Sequence, residues 1–159
     1  MAQHLLDQAW DRSQNSELGV RPWPWADVQP AFRLSLPGHG RSFVILNNSS
    51  GEALAFGPGH VSSSSPPDEP GVMIIGGHRD THFSILREMT IGDTIIIENI
   101  QGIKFTYLVS DIFVHHKDKV QIVVGEQSHI LILATCFPFE DLVPGGPERF
   151  LLVAKQQLV

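Results

Sequence analysis

Leu5, Leu6, Ala9 and Trp10 fall at helical spacing within residues 4–18, a stretch free of Gly and Pro that Gly19 then stops. The spacing predicts an N-terminal helix there. In the following RPWPW (21–25), Pro22 and Pro24 hold the chain extended while Trp23 and Trp25 offer large apolar faces, which predicts an arm packed across a domain. From residue 31 the periodicity shortens. Ala31–Leu36, Ser42–Leu46 and Ala53–Phe56 are brief apolar segments bounded by Gly, Pro, Asn and Ser, the pattern of strands. VSSSSPPDEPG (61–71), with its serines and prolines and no period, predicts a loop. VMIIGG (72–77) predicts a buried strand ending in two glycines, and FSILREM (83–89) a second short helix. Gly92-Asp93 marks a turn into the strand TIIIEN (94–99). KFTYLVSDIFV (104–114) predicts a strand with a bend near Ser110. HILILATC (129–136) is the strongest central strand, and RFLLVAKQQ (149–157) is the last.

These segments make about eight short strands, joined by connections too short for the helices of βαβ units. The fold class is mostly β with short helices and an N-terminal helix. A closed eight-stranded β-barrel is expected, because closure disposes of the sheet edges. Residues 1–30 are expected to form the helix and the Pro/Trp-rich arm, and residues 31–159 the barrel domain.

Composition narrows the class further. The 159 residues suffice for one domain with its own core, and 42% hydrophobic against 18% charged excludes both a disordered chain and a membrane bundle. Eleven basic against seventeen acidic residues give a net charge of −6, which excludes a sequence-independent grip on nucleic-acid phosphates. No run approaches the roughly 18 apolar residues of a spanning helix. The opening MAQHLLDQAW has neither the basic nor the apolar region of a signal peptide.

There is one cysteine, Cys136, so no disulfide framework and no multi-cysteine metal site can form within the chain. It is either a small buried hydrophobe or a reactive thiol. Cys136 ends the most apolar strand, and Pro138 forces the chain out of the sheet just beyond it. His78 follows VMIIGG, where Gly76 and Gly77 permit close backbone approach, and Arg149 opens the final strand after PGGP (144–147). If those strands are neighbours, the three polar groups share one wall. A thiolate, an imidazole for the proton and a guanidinium for the developing oxyanion would then stand together, as in a cysteine transferase or protease.

His78, Asp80 and His82 alternate and, with His60, imitate a zinc site, although the same spacing suits a loop without metal; no metal is expected. His115-His116, followed by Lys117 and Lys119, is expected to be a solvated loop.

The segments GHRDTHF (77–83), LATCFPFE (133–140) and PGGPERFLLVA (144–154) resemble the sortase family of cysteine transpeptidases. In that family a His follows Gly on one strand, a Thr-Cys pair ends another and an Arg opens the next. Here these match His78, Thr135-Cys136 and Arg149. The resemblance takes in FGPGH (56–60), the Ser/Pro loop and Gly92-Asp93, and so covers residues 31–155. RPWPW and CFPFE look most like the sortases of Gram-negative (marine proteobacterial) bacteria. One position departs from the family pattern Thr-Leu-x-Thr-Cys: its first Thr is Ile132 here.

The resemblance implies a sortase-type barrel that cleaves an LPxTG-like sorting signal. Cys136 would form a thioacyl intermediate, His78 would handle the proton, and Arg149 would hold the oxyanion. Thr135, Ala134, His60, Asp80 and His82 would line the substrate groove, with no metal or organic cofactor. The implied partners are a surface protein with a C-terminal sorting signal and an amine acceptor. The implied location is extracytoplasmic, on the periplasmic face of the inner membrane, with residues 1–20 following an excised N-terminal anchor. A hydrolytic cysteine peptidase on the same scaffold and a catalytically silent peptide-binding barrel are the competing expectations.

Overall fold

The computed structural model describes residues 2–15, 22, 28–49, 56–78, 82–116, 128–137 and 148–157. Its eight strands are β1 (Pro30–Leu36), β2 (Arg41–Leu46), β3 (Gly59–His60), β4 (Gly71–Gly76), β5 (Thr94–Asn99), β6 (Lys104–His116), β7 (His129–Phe137) and β8 (Glu148–Gln156). They close into a barrel in the order β1-β2-β3-β4-β7-β8-β6-β5. Strand alternation builds its core: Leu34, Ile45, Ile75, Ile97, Leu133 and Leu152 all point inward and are fully buried.

The one helix among the described residues longer than a turn or two is α1 (Ala2–Gln14). It presents Leu6, Ala9 and Trp10 as a buried stripe, and Leu6 and Trp10 pack on Val44 and Leu46 of the outer face of β2 and on Val28, just before β1. Val44 and Leu46 thus lie under the helix while Phe43 and Ile45 lie in the barrel, which is why four consecutive residues of RSFVIL are buried. Burying a side chain such as Leu6 contributes roughly 2–3 kcal/mol. Polar contacts frame the seam. Arg33 reaches outward from β1 to Asp7 Oδ1 at 3.1 Å and lies over the Trp10 ring at 5.8 Å, and Gln14 Nε2 donates to Glu98 Oε2 at 2.7 Å. No described helix is long and apolar enough to cross a membrane.

Most strand expectations match to within a residue or two. β5 has the expected bounds, and β6 shifts register between Val109 and Asp111, at the bend expected at Ser110. Four details differ. The helix ends at Gln14; most of its expected last turns and of RPWPW lies outside the described residues. The third strand is Gly59–His60, whereas Phe56 sits in a turn and residues 53–55 lie outside the described residues. Two residues carry no alternation to read. Gly59 is nonetheless obligatory there, since a Cβ would collide with the Asn48 carbonyl oxygen. FSILREM forms only a short 3-10 helix, Ser84–Glu88. His115 and His116 are not a loop: they complete β6, opposite Arg149 and Glu148 of β8, because the cross-strand ladder extends the strand past its apolar residues.

Candidate active site

The wall that matters is β4-β7-β8. β4 and β7 run parallel from Gly71 beside His129 to Gly76 beside Ala134, and the Gly77 N–H extends the ladder by donating to the Ala134 carbonyl at 3.1 Å. β7 and β8 run antiparallel, with Cys136 opposite Arg149. The condition set by the sequence is met: β4, β7 and β8 lie side by side in that order. His78 follows directly on the last hydrogen bond of one ladder, while Cys136 and Arg149 face each other in the other.

Local sequence fixes the His78 turn. A Cβ on Gly77 would stand 2.7 Å from the Phe83 ring, so glycine lets that fully buried ring close beneath the strand end. The Phe83 N–H donates to the His78 carbonyl at 3.0 Å. His78 itself is exposed, at the mouth of this turn. Gly76, by contrast, has open space where a Cβ would be. Arg149 is half-buried, and its Nη1 donates to the neighbouring Glu148 carbonyl at 3.0 Å.

The remaining expected groove residues divide. Ala134 is half-buried on the face shared by positions 132, 134 and 136, between Gly76 and Leu151. Thr135 has the opposite parity, with Leu131 and Leu133 of the core. It is 3% exposed, and its Oγ1 has no hydrogen-bond partner. His60 lies opposite the inward-facing Ile75, with its ring edge-on to Phe32 at 5.6 Å. Burial pulls its pKa below the usual histidine range, against the backbone hydrogen bonds with Ser65 and Ser64. Its Nε2 is buried without a partner. Thr135 and His60 therefore belong to the interior side of the wall and not to the face of Ala134. Asp80 lies outside the described residues.

His82 is half-buried beside α1. Its Nε2 lies 2.8 Å from Gln3 Nε2, and its ring stands edge-on to Phe43 at 6.3 Å. Burial first, then the positive charges of His78 and Arg41, hold its pKa below the usual range. Its neutral form is favoured and its Nε2 is engaged, so of the two histidines His78 is the one that faces solvent. Among the described residues no three His, Cys, Asp or Glu side chains come together as a metal site. His60 and His82 sit in separate surroundings, the first against Phe32 and the second against Phe43 and Gln3.

Sequence reasoning passed over Gln3 and the packing of Phe83 against Gly77. The glycine pair before His78 signalled a close approach, though not that Phe83 makes it. Nothing in the periodicity of α1 singled out Gln3.

A mostly β barrel that carries a His, a Cys and an Arg at the adjoining ends of three neighbouring strands defines a class of thiol-bearing barrel proteins. A family model described as the sortase domain matches residues 34–157, and the chain belongs to the sortase family. It is 32% identical over 124 residues to sortase D of Bacillus subtilis, which covers 77% of this chain; the chain spans 62% of that relative's length. Among solved structures it superposes on sortase A from Corynebacterium diphtheriae with a TM-score of 0.74 at 18% identity, covering 97% of this chain and 85% of that one. Clostridium perfringens sortase C, solved with the C-terminal cell wall sorting motif, gives a TM-score of 0.73 at 17% identity over 98% of this chain and 87% of that one.

Proposed function

We propose that this chain is a cysteine transpeptidase that cleaves an LPxTG-like sorting signal near the C-terminus of a surface protein and passes the protein to an amine acceptor. The observation that supports the reading is the register: Cys136 lies opposite Arg149, and the pairing of β4 with β7 runs to the Gly77 N–H on the Ala134 carbonyl, one residue before His78.

The Cys136 thiolate attacks the carbonyl carbon of the signal's Thr, forming a C–S bond and a tetrahedral oxyanion that Arg149 stabilises by donating hydrogen bonds. Collapse breaks the C–N bond as the His78 imidazolium gives its proton to the leaving amine, leaving a thioester. An incoming amine attacks that thioester, His78 takes the surplus proton, and the thiolate departs. No metal or organic cofactor enters these steps. Ala134 lines the outer face of β7 beside the reacting groups, and Asp80 and His82 take part in holding the peptide. Thr135 and His60 act on the peptide only by shaping the wall from its inner side. Work on surface proteins places the enzyme outside the cytoplasm, on the periplasmic face of the inner membrane behind an N-terminal anchor. RPWPW and CFPFE support a Gram-negative source.

A peptide-library cleavage assay, run with and without amine acceptors, tests the proposal. Cleavage at one Thr-small-residue bond with an amine-joined product is expected. Products formed only with water would replace transfer by hydrolysis, and no cleavage of any library member would remove the enzymatic reading.

A further inference from the structure

We propose that Gln3 is a positioning residue for His78: from the first turn of α1 it latches His82 and thereby fixes the turn on which His78 stands. The proposal rests on the transpeptidase reading only for the role of His78; the latch itself is a matter of contacts.

The Gln3 amide nitrogen donates to the Phe56 carbonyl oxygen at 3.0 Å. A carbonyl oxygen only accepts, so the NH2 side of the amide faces it. The same nitrogen lies 2.8 Å from His82 Nε2, which therefore accepts, leaving the ring proton on Nδ1. Phe43 closes the ring's flank, and the Arg41 guanidinium lies over the Phe43 ring at 5.2 Å from its centroid. His82 is bonded through the chain to Phe83. Phe83 in turn holds the His78 carbonyl and fills the space against Gly77. Phe83 is thus held against Gly77 by packing, and His82, next to it in the chain, is held by the helix. Gln3 is held in place because Leu6 and Trp10 of the same helix are buried against β2. The titratable and charged groups that bear on His82 are His78, just past β4, and Arg41 from β2, and a neutral Nδ1–H ring adds no charge beside the Arg41 guanidinium.

The test compares Gln3→Ala with Asp7→Ala, which removes the Arg33 contact of the same helix without touching His82. For Gln3→Ala, kcat for peptide cleavage is expected to fall roughly tenfold with KM within about twofold, as for a displaced catalytic group. Asp7→Ala should retain wild-type kcat. Nitrogen NMR of the histidine rings should show His82 as the Nδ1–H tautomer in the wild-type chain, and Gln3→Ala should shift the His78 resonances while core methyls such as those of Leu34 stay put. Wild-type kcat with unmoved His78 resonances in Gln3→Ala overturns the proposal. So does an equal loss in Asp7→Ala, which would mark general loosening of the helix. If the wild-type chain cleaves no sorting peptide, the transpeptidase reading fails, and the His82 tautomer with the His78 shift still decides the latch.

Discussion

Two stretches of this barrel read alike and are used differently. FVIL in β2 and ILILA in β7 are both unbroken apolar runs, and both have an inner face in the barrel core. The outer face of β2 is closed by the protein's own helix: Val44 and Leu46 are buried by Leu6 and Trp10. The outer face of β7 carries Ile132, Ala134 and position 136, and no part of α1 reaches it in the contacts that define the helix seam. An apolar run announces a strand covered on both sides. It does not say whether the cover is a helix of the same chain or, as proposed for β7, a bound peptide.

This contrast sets expectations that can be broken. Cys136→Ala should abolish cleavage of a sorting peptide, a loss of a thousandfold or more by order of magnitude, with little change in melting temperature. Retained cleavage would remove Cys136 as nucleophile. Arg149→Ala should lower kcat/KM by roughly a hundredfold or more through the lost oxyanion donor, again on a folded barrel; a melting curve beside the kinetics separates the two effects. Under the helix the pattern inverts. Trp10→Ala should cost about 3–5 kcal/mol of stability by opening a cavity between α1 and β2, seen as an earlier midpoint in urea. An unchanged midpoint would mean that the helix contributes nothing to the barrel.

The smallest effect lies away from both faces. His39 Nε2 and Asp93 Oδ2 are 3.0 Å apart, and Asp93 also accepts from the Thr90 backbone N–H at 2.9 Å. The hydrogen bond with His39, then that with Thr90, holds the Asp93 carboxyl below its usual range. Its contribution is present above the unfolded carboxylate pKa and is lost as pH falls through the lower folded value. Asp93→Asn should therefore cost less than about 1 kcal/mol near neutrality, and the gap from wild type should close in acid. A gap that widens in acid would contradict the assignment.

The strands were legible because their period is short and their ends are marked by Gly, Pro and Asn. Thr94–Asn99 could be bounded from TIIIEN and its Gly92-Asp93 turn alone. Gly59–His60 could not, since two residues have no period, and the strand exists only because Leu46 of β2 and Ile75 and Gly76 of β4 lie alongside it. Cys136, His78 and Arg149 were each legible as strand-end residues. Their adjacency was conditional on a topology that periodicity does not contain, and the pairings of β4 with β7 and of β7 with β8 supply it. His115 was misplaced in a loop because polar residues at a strand end look like the loop that follows. Thr135 and His60 illustrate a different limit. A residue beside Cys136 in sequence takes the opposite face of the strand, and a residue on a two-residue strand takes its direction from its partner.

The parallel pairing of β4 with β7 joins Gly76 to Ala134 across 134 − 76 = 58 residues, and β5 and β6 lie between them in the chain. Such a contact closes a long loop and so forms late, after the local hairpins. The histidine and the thiol are consequently strangers until the barrel shuts. On the proposed chemistry, a nascent or misfolded chain carries an ordinary thiol, and nucleophilic power appears only when folding is complete. Reactivity of Cys136 is then a clock for barrel closure, readable in a refolding experiment without any substrate at all.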